Sequence, residues 1–120
     1  MTVFIYGLID PDTHEVRYVG QTRLPEARLK DHLSAARAGK EGPHYDWLRQ
    51  LTQTPHLVIL EPVENGRWGR GNASVSRASV MEAKWLKRFR RTVLNYNKKQ
   101  CAAYDEFVNS PELKERYKID

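Results

Sequence analysis

The first twenty residues fall into two apolar blocks with a polar segment between them. Residues 3–9 form a short apolar and aromatic run, which is typical of a strand covered on both faces. The turn-forming sequence Asp-Pro-Asp-Thr follows at residues 10–13, and residues 15–20 return to a strand pattern. The two blocks therefore predict an antiparallel hairpin with a loop of about four or five residues.

Two helical patterns follow the hairpin. Pro25 suits the first position of a helix and Glu26 suits the positive end of its dipole, so a helix is predicted over residues 25–37, with Gly39 as its stop. Its core side should consist of the i, i+4 and i+7 positions Leu29, Leu33 and Ala36. A shorter helix is predicted after the Gly-Pro pair at residues 42 and 43, and it should end before residues 54 and 55. Its apolar face comprises Trp47, Leu48 and Leu51.

The second half of the chain predicts one strand and two further helices. Residues 56–60 are β-branched and apolar, which favours a third, buried strand. Residues 64–76 predict a loop because they contain three glycines, and a long helix should start near Ala73 or Ser76 and end near Thr92. A last helix is predicted from Ser110, as cap, to about residue 118.

The predicted element order is β-β-α-α-β-α followed by a C-terminal helix. This order indicates an α/β (α+β) domain with a small three-stranded antiparallel sheet flanked by helices. The domain should cover residues 1–98, with residues 99–120 as a tail whose short helix packs on it. The chain has 120 residues, which fits one compact domain.

Composition adds an expectation about the compartment. Hydrophobic residues make up 40% of the chain and charged residues 29%, which is ordinary for a globular protein. Cys101 is the single cysteine, so an intrachain disulfide is excluded. The apolar run at residues 3–9 is too short for a membrane span and lacks the basic region of a signal peptide. We therefore expect a cytoplasmic protein that does not act at a membrane.

The net charge of +5 favours a polyanionic partner, and the distribution of charge sharpens that prediction. Between residues 67 and 99 there is one acidic residue, Glu82, against ten basic residues: Arg67, Arg70, Arg77, Lys84, Lys87, Arg88, Arg90, Arg91, Lys98 and Lys99. A solvated helix face usually mixes both signs. The block therefore favours contact with nucleic acid over a merely soluble surface.

Glu82 is the most informative single position. On the predicted helix it falls inside the apolar stripe formed by Ala78, Trp85 and Phe89. A carboxylate on such a stripe is costly unless it is paired or holds a metal. Metal binding or catalysis is one interpretation, and a salt-bridged or snorkelling glutamate beside Arg77 or Lys84 is the other.

Arg28 and His32 lie four residues apart and share one face of the first predicted helix. That face borders the predicted core side, so both side chains could project along the rim of the core. An arginine fork binds phosphate oxygens and an imidazole can donate or accept a proton. An ordinary surface pair is the alternative. Tyr6 and Tyr18 lie on the hairpin strands, where tyrosines are usually core residues.

Taken together, these positions resemble the GIY-YIG nuclease family. Residues 4–6 read Phe-Ile-Tyr and residues 18–20 read Tyr-Val-Gly; Arg28 follows Gly20 by eight residues, His32 follows four later, and Glu82 and Asn95 complete the pattern. The resemblance covers residues 2–97. Two positions depart from it. Phe4 replaces a glycine, which should alter packing more than chemistry. Gln21 lies near the position where some members carry a lysine, and Arg23 is the candidate substitute for it.

The resemblance implies a metal-dependent phosphodiester hydrolase. Glu82 would bind one Mg²⁺ or Mn²⁺, completed by waters and the DNA phosphate. Arg28 would neutralise the charge that builds on the phosphoryl oxygens. Tyr6 or Tyr18 would act as the base for the attacking water, with His32 in support, and we predict the larger role for Tyr18. Asn95 would brace the site or cap a helix.

The same resemblance implies contact with DNA, most simply double-stranded, through the basic surface of a single domain. The residues predicted to bind it are Arg23, Arg67, Trp68, Arg70, Lys84, Lys87, Arg88 and Arg91. Trp68 could stack on a base or anchor its loop to the core. Sequence specificity should be low, based on DNA structure, or supplied by a partner protein, and no small-molecule cofactor is expected. The alternatives are a DNA-binding module that does not cut, an RNA-directed nuclease, and a structural protein without a nucleic-acid role.

Overall fold

A computed structural model describes residues 1–68 and 75–109 of the chain. The described elements, in chain order, are β1 (Thr2–Ile9), β2 (Val16–Thr22), α1 (Pro25–Arg37), α2 (Pro43–Gln50), β3 (His56–Glu64), β4 (Arg67–Trp68), β5 (Val75–Ser76), α3 (Arg77–Arg88) and α4 (Lys98–Val108). The predicted α+β class is confirmed, because a three-stranded antiparallel sheet is flanked by helices. None of the described helices is long and apolar enough to cross a membrane.

The main sheet has the order β2-β1-β3, so β1 is its central strand. Side chains alternate between its two faces, and each face carries its own core. Ile5 packs into a core with residues of α3 and α4, whereas Tyr6 and Leu8 pack against α1 and α2. The prediction of a strand covered on both faces is therefore confirmed for β1.

Asp10 links the hairpin turn to α2 by hydrogen bonds. Its Oδ1 accepts hydrogen bonds from the backbone N–H of Asp12 at 2.8 Å and of Thr13 at 3.1 Å, and its Oδ2 accepts one from Trp47 Nε1 at 2.9 Å. The Trp47 bond is the main reason that the pKa of Asp10 lies below its ordinary value. This carboxylate therefore fixes where α2 sits relative to β1 and β2.

The two predicted helices after the hairpin are confirmed as α1 and α2. Helix α1 has proline in its first turn and is followed by Gly39, whose φ of 86° suits glycine at a helix end. Ala36 is buried, and Leu29 and Leu33 are half-buried against the same core. In α2, Trp47 and Leu48 are buried as predicted.

Strand β3 differs from its prediction in length and in burial. It runs on to Glu64 and lies at the edge of the sheet, with Ile59 45% exposed and Val63 as its buried residue. The prediction of a buried third strand was therefore wrong. An apolar, β-branched run marks strand propensity, but it does not tell whether a strand lies at the centre or the edge of a sheet. Pro62, which has no N–H to donate, fits an edge position.

Helix α3 ends at Arg88, four residues before the predicted end. Ser76 caps its start by accepting the N–H of Ser79 at 3.4 Å. After Arg88 the chain turns away, because Thr92 Oγ1 donates to Val16 O at 2.7 Å and the Leu94 N–H donates to Arg17 O at 2.7 Å. Residues 92–95 thus cover the outer edge of β2. Their hydrogen bonds to β2 take the place of the further helical turn that the sequence predicted.

Helix α4 was not predicted. It packs on α3, and its Cys101 and Tyr104 are buried in the core on that side of the sheet. Asn97 supplied a sequence signal for it, because its Oδ1 accepts the N–H of Gln100 in the manner of a helix cap, at 2.9 Å. The helix predicted from Ser110 lies outside the described residues. Within the predicted 64–76 loop, β4 and β5 pair as a short hairpin, and residues 69–74 lie outside the described part.

Candidate active site

Four of the predicted site residues lie together on the side of the sheet that faces α1 and α2. In the register of the hairpin, Tyr6 pairs with Gly20 and Leu8 with Tyr18, so both tyrosines point toward α1. The ring centroids of Tyr6 and Tyr18 lie 6.0 Å apart, and those of Tyr18 and His32 lie 4.7 Å apart. Arg28 reaches the same group from α1. Tyr6, Tyr18, His32 and His44 are called the tyrosine–histidine cluster below.

Tyr6 is held by two hydrogen bonds at its hydroxyl. His32 Nε2 lies 2.6 Å from this oxygen, and Arg28 Nε donates to it at 3.1 Å. Burial raises the pKa of Tyr6, whose side chain is completely buried. Burial also lowers the pKa of His32 to about 4, so its imidazole is neutral at pH 7 and its Nε2 can accept a hydrogen bond from the Tyr6 hydroxyl. His32 is therefore a core residue and not part of an ordinary surface pair.

Gly20 allows the two tyrosine rings to lie close to β2. A Cβ atom at this position would come within 2.7 Å of Tyr6 Oη and 2.9 Å of Tyr18 Cε1. Real Cβ atoms do not approach other atoms this closely, so any larger residue would displace the rings. The glycine of the second triplet is thus explained by space and not by a special backbone angle.

Tyr18 is the more accessible of the two tyrosines, because it is half-buried whereas Tyr6 is fully buried. Burial raises the pKa of Tyr18, and the lowering effect of Arg28 does not overcome it. The negative charge of Glu82 makes a smaller contribution to the rise in this pKa. In the protein alone, Tyr18 is therefore a protonated phenol at neutral pH.

His44 belongs to the tyrosine–histidine cluster, and sequence reasoning missed it. Its ring centroid lies 4.7 Å from that of Tyr18 and 5.7 Å from that of His32. Its Nε2 is buried without a hydrogen-bond partner among the described residues. Burial, with smaller contributions from Arg28 and Lys40, lowers its pKa. The Gly-Pro signal at residues 42 and 43 placed His44 in the first turn of a helix, but the direction of its side chain depends on how α2 docks.

Glu82 lies on α3, on the opposite side of β2 from the tyrosine–histidine cluster. Its Oε2 accepts hydrogen bonds from Gln21 Nε2 at 3.2 Å and from Gln100 Nε2 at 2.9 Å. Within residues 1–68 and 75–109, no hydrogen bond reaches its Oε1. Lys84, one of the cations considered as its partner, pairs instead with Glu61 at 2.6 Å. Two neutral amides thus orient the carboxylate and leave one oxygen for a further partner.

The donor set at Glu82 fits a weakly held hard cation. The described residues contain no group of three or more histidine, cysteine or acidic side chains that could hold a metal ion. A divalent ion there would depend on waters and a substrate phosphate for most of its ligands, as Mg²⁺ commonly does. The uncommitted Oε1 of a half-buried carboxylate is the observation that supports this fit.

Asn95 braces β2 beside Tyr18. Its Oδ1 accepts the N–H of Val19 at 3.2 Å, and its Nδ2 donates to Val19 O at 2.7 Å. This reciprocal pair imitates a neighbouring strand at the outer edge of β2. Asn95 is not the cap of α3, because that helix ends at Arg88 and its capping position is Phe89.

The residues predicted to bind DNA are not equivalent in the structure. Lys84 and Lys87 form ion pairs with Glu61 and Asp105. Four of the other arginines are exposed, namely Arg23, Arg67, Arg88 and Arg91. The side chain of Trp68 and all of Arg70 lie outside the described part, so the stacking and anchoring interpretations of Trp68 stay predictions.

No protein-family model matches this chain, and neither the curated proteins nor the solved structures contain a match. What the protein does therefore has to be inferred from its own side chains and their arrangement.

Proposed function

We propose that the protein is a metal-dependent endonuclease of the GIY-YIG type that hydrolyses phosphodiester bonds in DNA. The observation that carries the proposal is that Tyr18 and Arg28 lie together on one side of β2, while Glu82, with one uncommitted oxygen, lies on its other side and is near enough for its charge to contribute to the raised pKa of Tyr18. A phenol, a guanidinium and a carboxylate with one uncommitted oxygen are the groups that water activation, charge neutralisation and metal binding require. The basic surface supplies the attraction for a polyanion.

Arg28 is the residue best suited to contact the scissile phosphate. Its Nε donates to Tyr6 Oη at 3.1 Å and its guanidinium also interacts with Tyr18, which fixes the group in place beside the more accessible tyrosine. It is half-buried, so a phosphate there would be partly shielded from water and the interaction would be strong. Arg28 would thus bind the phosphoryl oxygens as their negative charge increases.

Tyr18 is the tyrosine proposed to orient the attacking water. Tyr6 cannot reach substrate because it is fully buried and its hydroxyl is already held by Arg28 and His32. Tyr6 instead positions Arg28, and neutral His32 holds Tyr6. Because its pKa is raised in the protein alone, Tyr18 would lose its own proton, and so become able to accept one from water, only when further positive charge is near. A divalent ion at Glu82, Mg²⁺ or Mn²⁺, would supply that charge and polarise the phosphate.

The proposed substrate is double-stranded DNA, cut with low or structure-based specificity unless a partner protein supplies more. The proposed compartment is the cytoplasm, where the free and buried Cys101 would stay reduced. The small number of fixed metal ligands predicts that metal affinity is weak without DNA.

The test is nicking of supercoiled plasmid in Mg²⁺ or Mn²⁺, with an EDTA control. Wild type should cut, and Glu82→Gln should lose at least about a hundredfold in rate because its amide cannot replace an anionic ligand. Glu41→Gln is the matched control, since Glu41 is exposed and its side chain makes no hydrogen bond or ion pair among the described residues. Equal rates in wild type and Glu82→Gln would refute the assigned role of Glu82.

A non-catalytic DNA-binding module is the second candidate, and the raised pKa values of Tyr6 and Tyr18 favour it. In that case wild type and Glu82→Gln would bind duplex DNA equally and neither would cut. Competition by a matched RNA duplex identifies a third outcome. If RNA is the preferred ligand, the cleavage assay must use RNA.

A further inference from the structure

A small cleft opens where α3 ends. It has a volume of about 290 Å³ and is lined by Arg88, Phe89, Arg90, Arg91 and Thr92. Three of its five lining residues are arginines. We call it the arginine cleft.

Three of the carbonyl groups around the arginine cleft already accept hydrogen bonds. The last carbonyls of a helix normally make its C-terminus electronegative. Here Lys87 O accepts Arg90 Nη1 at 3.3 Å, Phe89 O accepts the N–H of Thr92 at 3.0 Å, and Thr92 O accepts Arg17 Nη1 at 2.9 Å. An anion in the cleft would therefore meet fewer bare carbonyl oxygens than at an ordinary helix C-terminus.

The arginines of the cleft also lack acidic partners within the described residues. Lys84 and Lys87, on the same helix, are each paired with a carboxylate. No ion pair in residues 1–68 and 75–109 involves Arg88, Arg90 or Arg91. One cation in the last turn would be enough to complement the helix dipole. Three adjacent guanidinium groups at one cleft leave an excess of positive charge that an anion can satisfy.

Arg88 is held in a defined position. Its guanidinium carbon lies 5.4 Å from the ring centroid of Trp85, and the Trp85 ring is stacked on that of Phe89 at 6.0 Å. Such contacts reduce the side-chain freedom that an arginine would lose on binding. The cleft is therefore partly preorganised for a phosphate group.

The cleft lies on the helix that carries Glu82. Arg88 follows Glu82 by six positions, which places it about 9 Å further along the helix axis and about 120° around it. One DNA strand rises about 3.4 Å per nucleotide, so this distance spans roughly two or three nucleotides. A strand whose scissile phosphate lay at Glu82 could thus place a neighbouring phosphate in the cleft.

We infer that the arginine cleft binds a backbone phosphate of the substrate strand, roughly two or three nucleotides from the bond that is cut. The inference rests on the proposed function for the position of the strand. Its chemistry, a phosphodiester held by guanidinium groups, is independent of whether cleavage occurs.

The experiment measures binding of a short labelled duplex in EDTA, where no cutting takes place, over roughly 50 to 200 mM salt. The test variant combines Arg88→Gln with Arg91→Gln. The matched control combines Arg37→Gln with Lys30→Gln, which removes the same charge from exposed positions on α1, one of them also in a last helical turn. Circular dichroism verifies that both variants are folded.

In the test variant, affinity should fall about tenfold or more, and the slope of log K against log salt should become shallower by about one to two. The control should keep a slope close to that of wild type. A test variant that binds with the slope and affinity of the control would overturn the inference. A wild type that binds in this way but never nicks DNA would refute the proposed hydrolysis and leave the cleft intact.

Two further measurements complete the test. The first does not depend on the folding of a variant, and the second distinguishes a backbone phosphate from a terminal phosphate. The Trp85 indole resonance of wild type should shift on adding inorganic phosphate, compared with chloride at equal ionic strength, and no shift would overturn the inference. Duplexes with 5′-phosphate and 5′-hydroxyl ends should bind equally. A preference for the 5′-phosphate that disappears in the test variant would assign the cleft to a strand end and overturn its assignment to the backbone.

Discussion

Ile5 and Tyr6 are neighbours on β1 and both are fully buried, but they lie in different interiors. The side of the sheet that holds Ile5 is filled by apolar side chains, among them Leu86 from α3 and Cys101 and Tyr104 from α4. The side that holds Tyr6 contains a hydroxyl, imidazoles and a guanidinium that hydrogen-bond to one another. The first interior stabilises the fold by excluding water, and the second keeps polar groups in place at a cost in desolvation.

A cavity in the apolar interior is the most direct test of this difference between the two sides of the sheet. Leu86 on α3 is 1% exposed in that core. We expect Leu86→Ala to lower the free energy of unfolding by about 3 kcal/mol, because both buried surface and packing are lost. Urea denaturation measures this, and a loss below about 1 kcal/mol would show that the core can collapse around the gap.

Lowering the pH should reduce the stability that the polar interior contributes to the fold. The pKa of His32 is about 4 in the folded protein, against an ordinary value of 6.5. An unfolded chain therefore binds this proton more readily, so the contribution to stability is complete above pH 6.5 and is lost as the pH falls toward 4. The loss should be on the order of 2 kcal/mol.

The measurement is urea denaturation at several pH values in wild type and in His32→Phe, whose profile should be flatter over this range. His56→Gln serves as the control because His56 is exposed on β3. Parallel profiles for wild type and His32→Phe would show that another group dominates the acid response.

The two faces each include a glycine, and substituting them sharpens the contrast. A Cβ at Gly20 would collide with both tyrosine rings, whereas a Cβ at Gly7 would meet Val16 Cγ1 at 3.2 Å and Leu60 Cδ1 at 3.5 Å. Gly20→Ala should lower the free energy of unfolding by about 1.5 kcal/mol and remove most of the proposed nuclease activity. Gly7→Ala should have a smaller effect on both quantities. Thermal unfolding and plasmid nicking measure the pair, and the reverse order of effects would contradict the packing argument.

The smallest expected difference separates the two tyrosines. Tyr18→Phe should reduce the rate of DNA cleavage about tenfold more than Tyr6→Phe, a difference of about 1.4 kcal/mol in barrier height. Tyr18 is accessible, whereas Tyr6 acts through Arg28. Single-turnover nicking compares the two, and equal or reversed losses would refute the larger role of Tyr18.

The elements with strong local signals were predictable from sequence. Helix α1 was predicted with its observed bounds, since a proline at its start and Gly39 after its end act over a few residues. Helical spacing predicted that Arg28 and His32 share a face, because the periodicity of one element determines which of its side chains lie together. Their grouping with Tyr6 and Tyr18 was implied only by the resemblance to the GIY-YIG family.

The features that depend on how elements pack were not predictable. The edge position of β3, the direction of His44 and the cover of β2 by residues 92–95 each depend on distant parts of the chain. Gln21 and Gln100 meet at Glu82 because α4 packs on α3, and α4 itself was missed. Its one local signal, Asn97 followed by Gln100, was present in the sequence.

The cover of β2 by residues 92–95 has a consequence for how the protein is made. A chain synthesised as far as residue 91 would contain the hairpin, α1, α2 and the residues of α3, together with every side chain proposed to touch the scissile bond. It would lack the amide of Asn95 that holds Val19 and the amide of Gln100 that orients Glu82. Under the proposed function, competence to cut would therefore be acquired only after residue 100 has been synthesised and α4 has packed on α3, so a shorter nascent chain would not cut DNA.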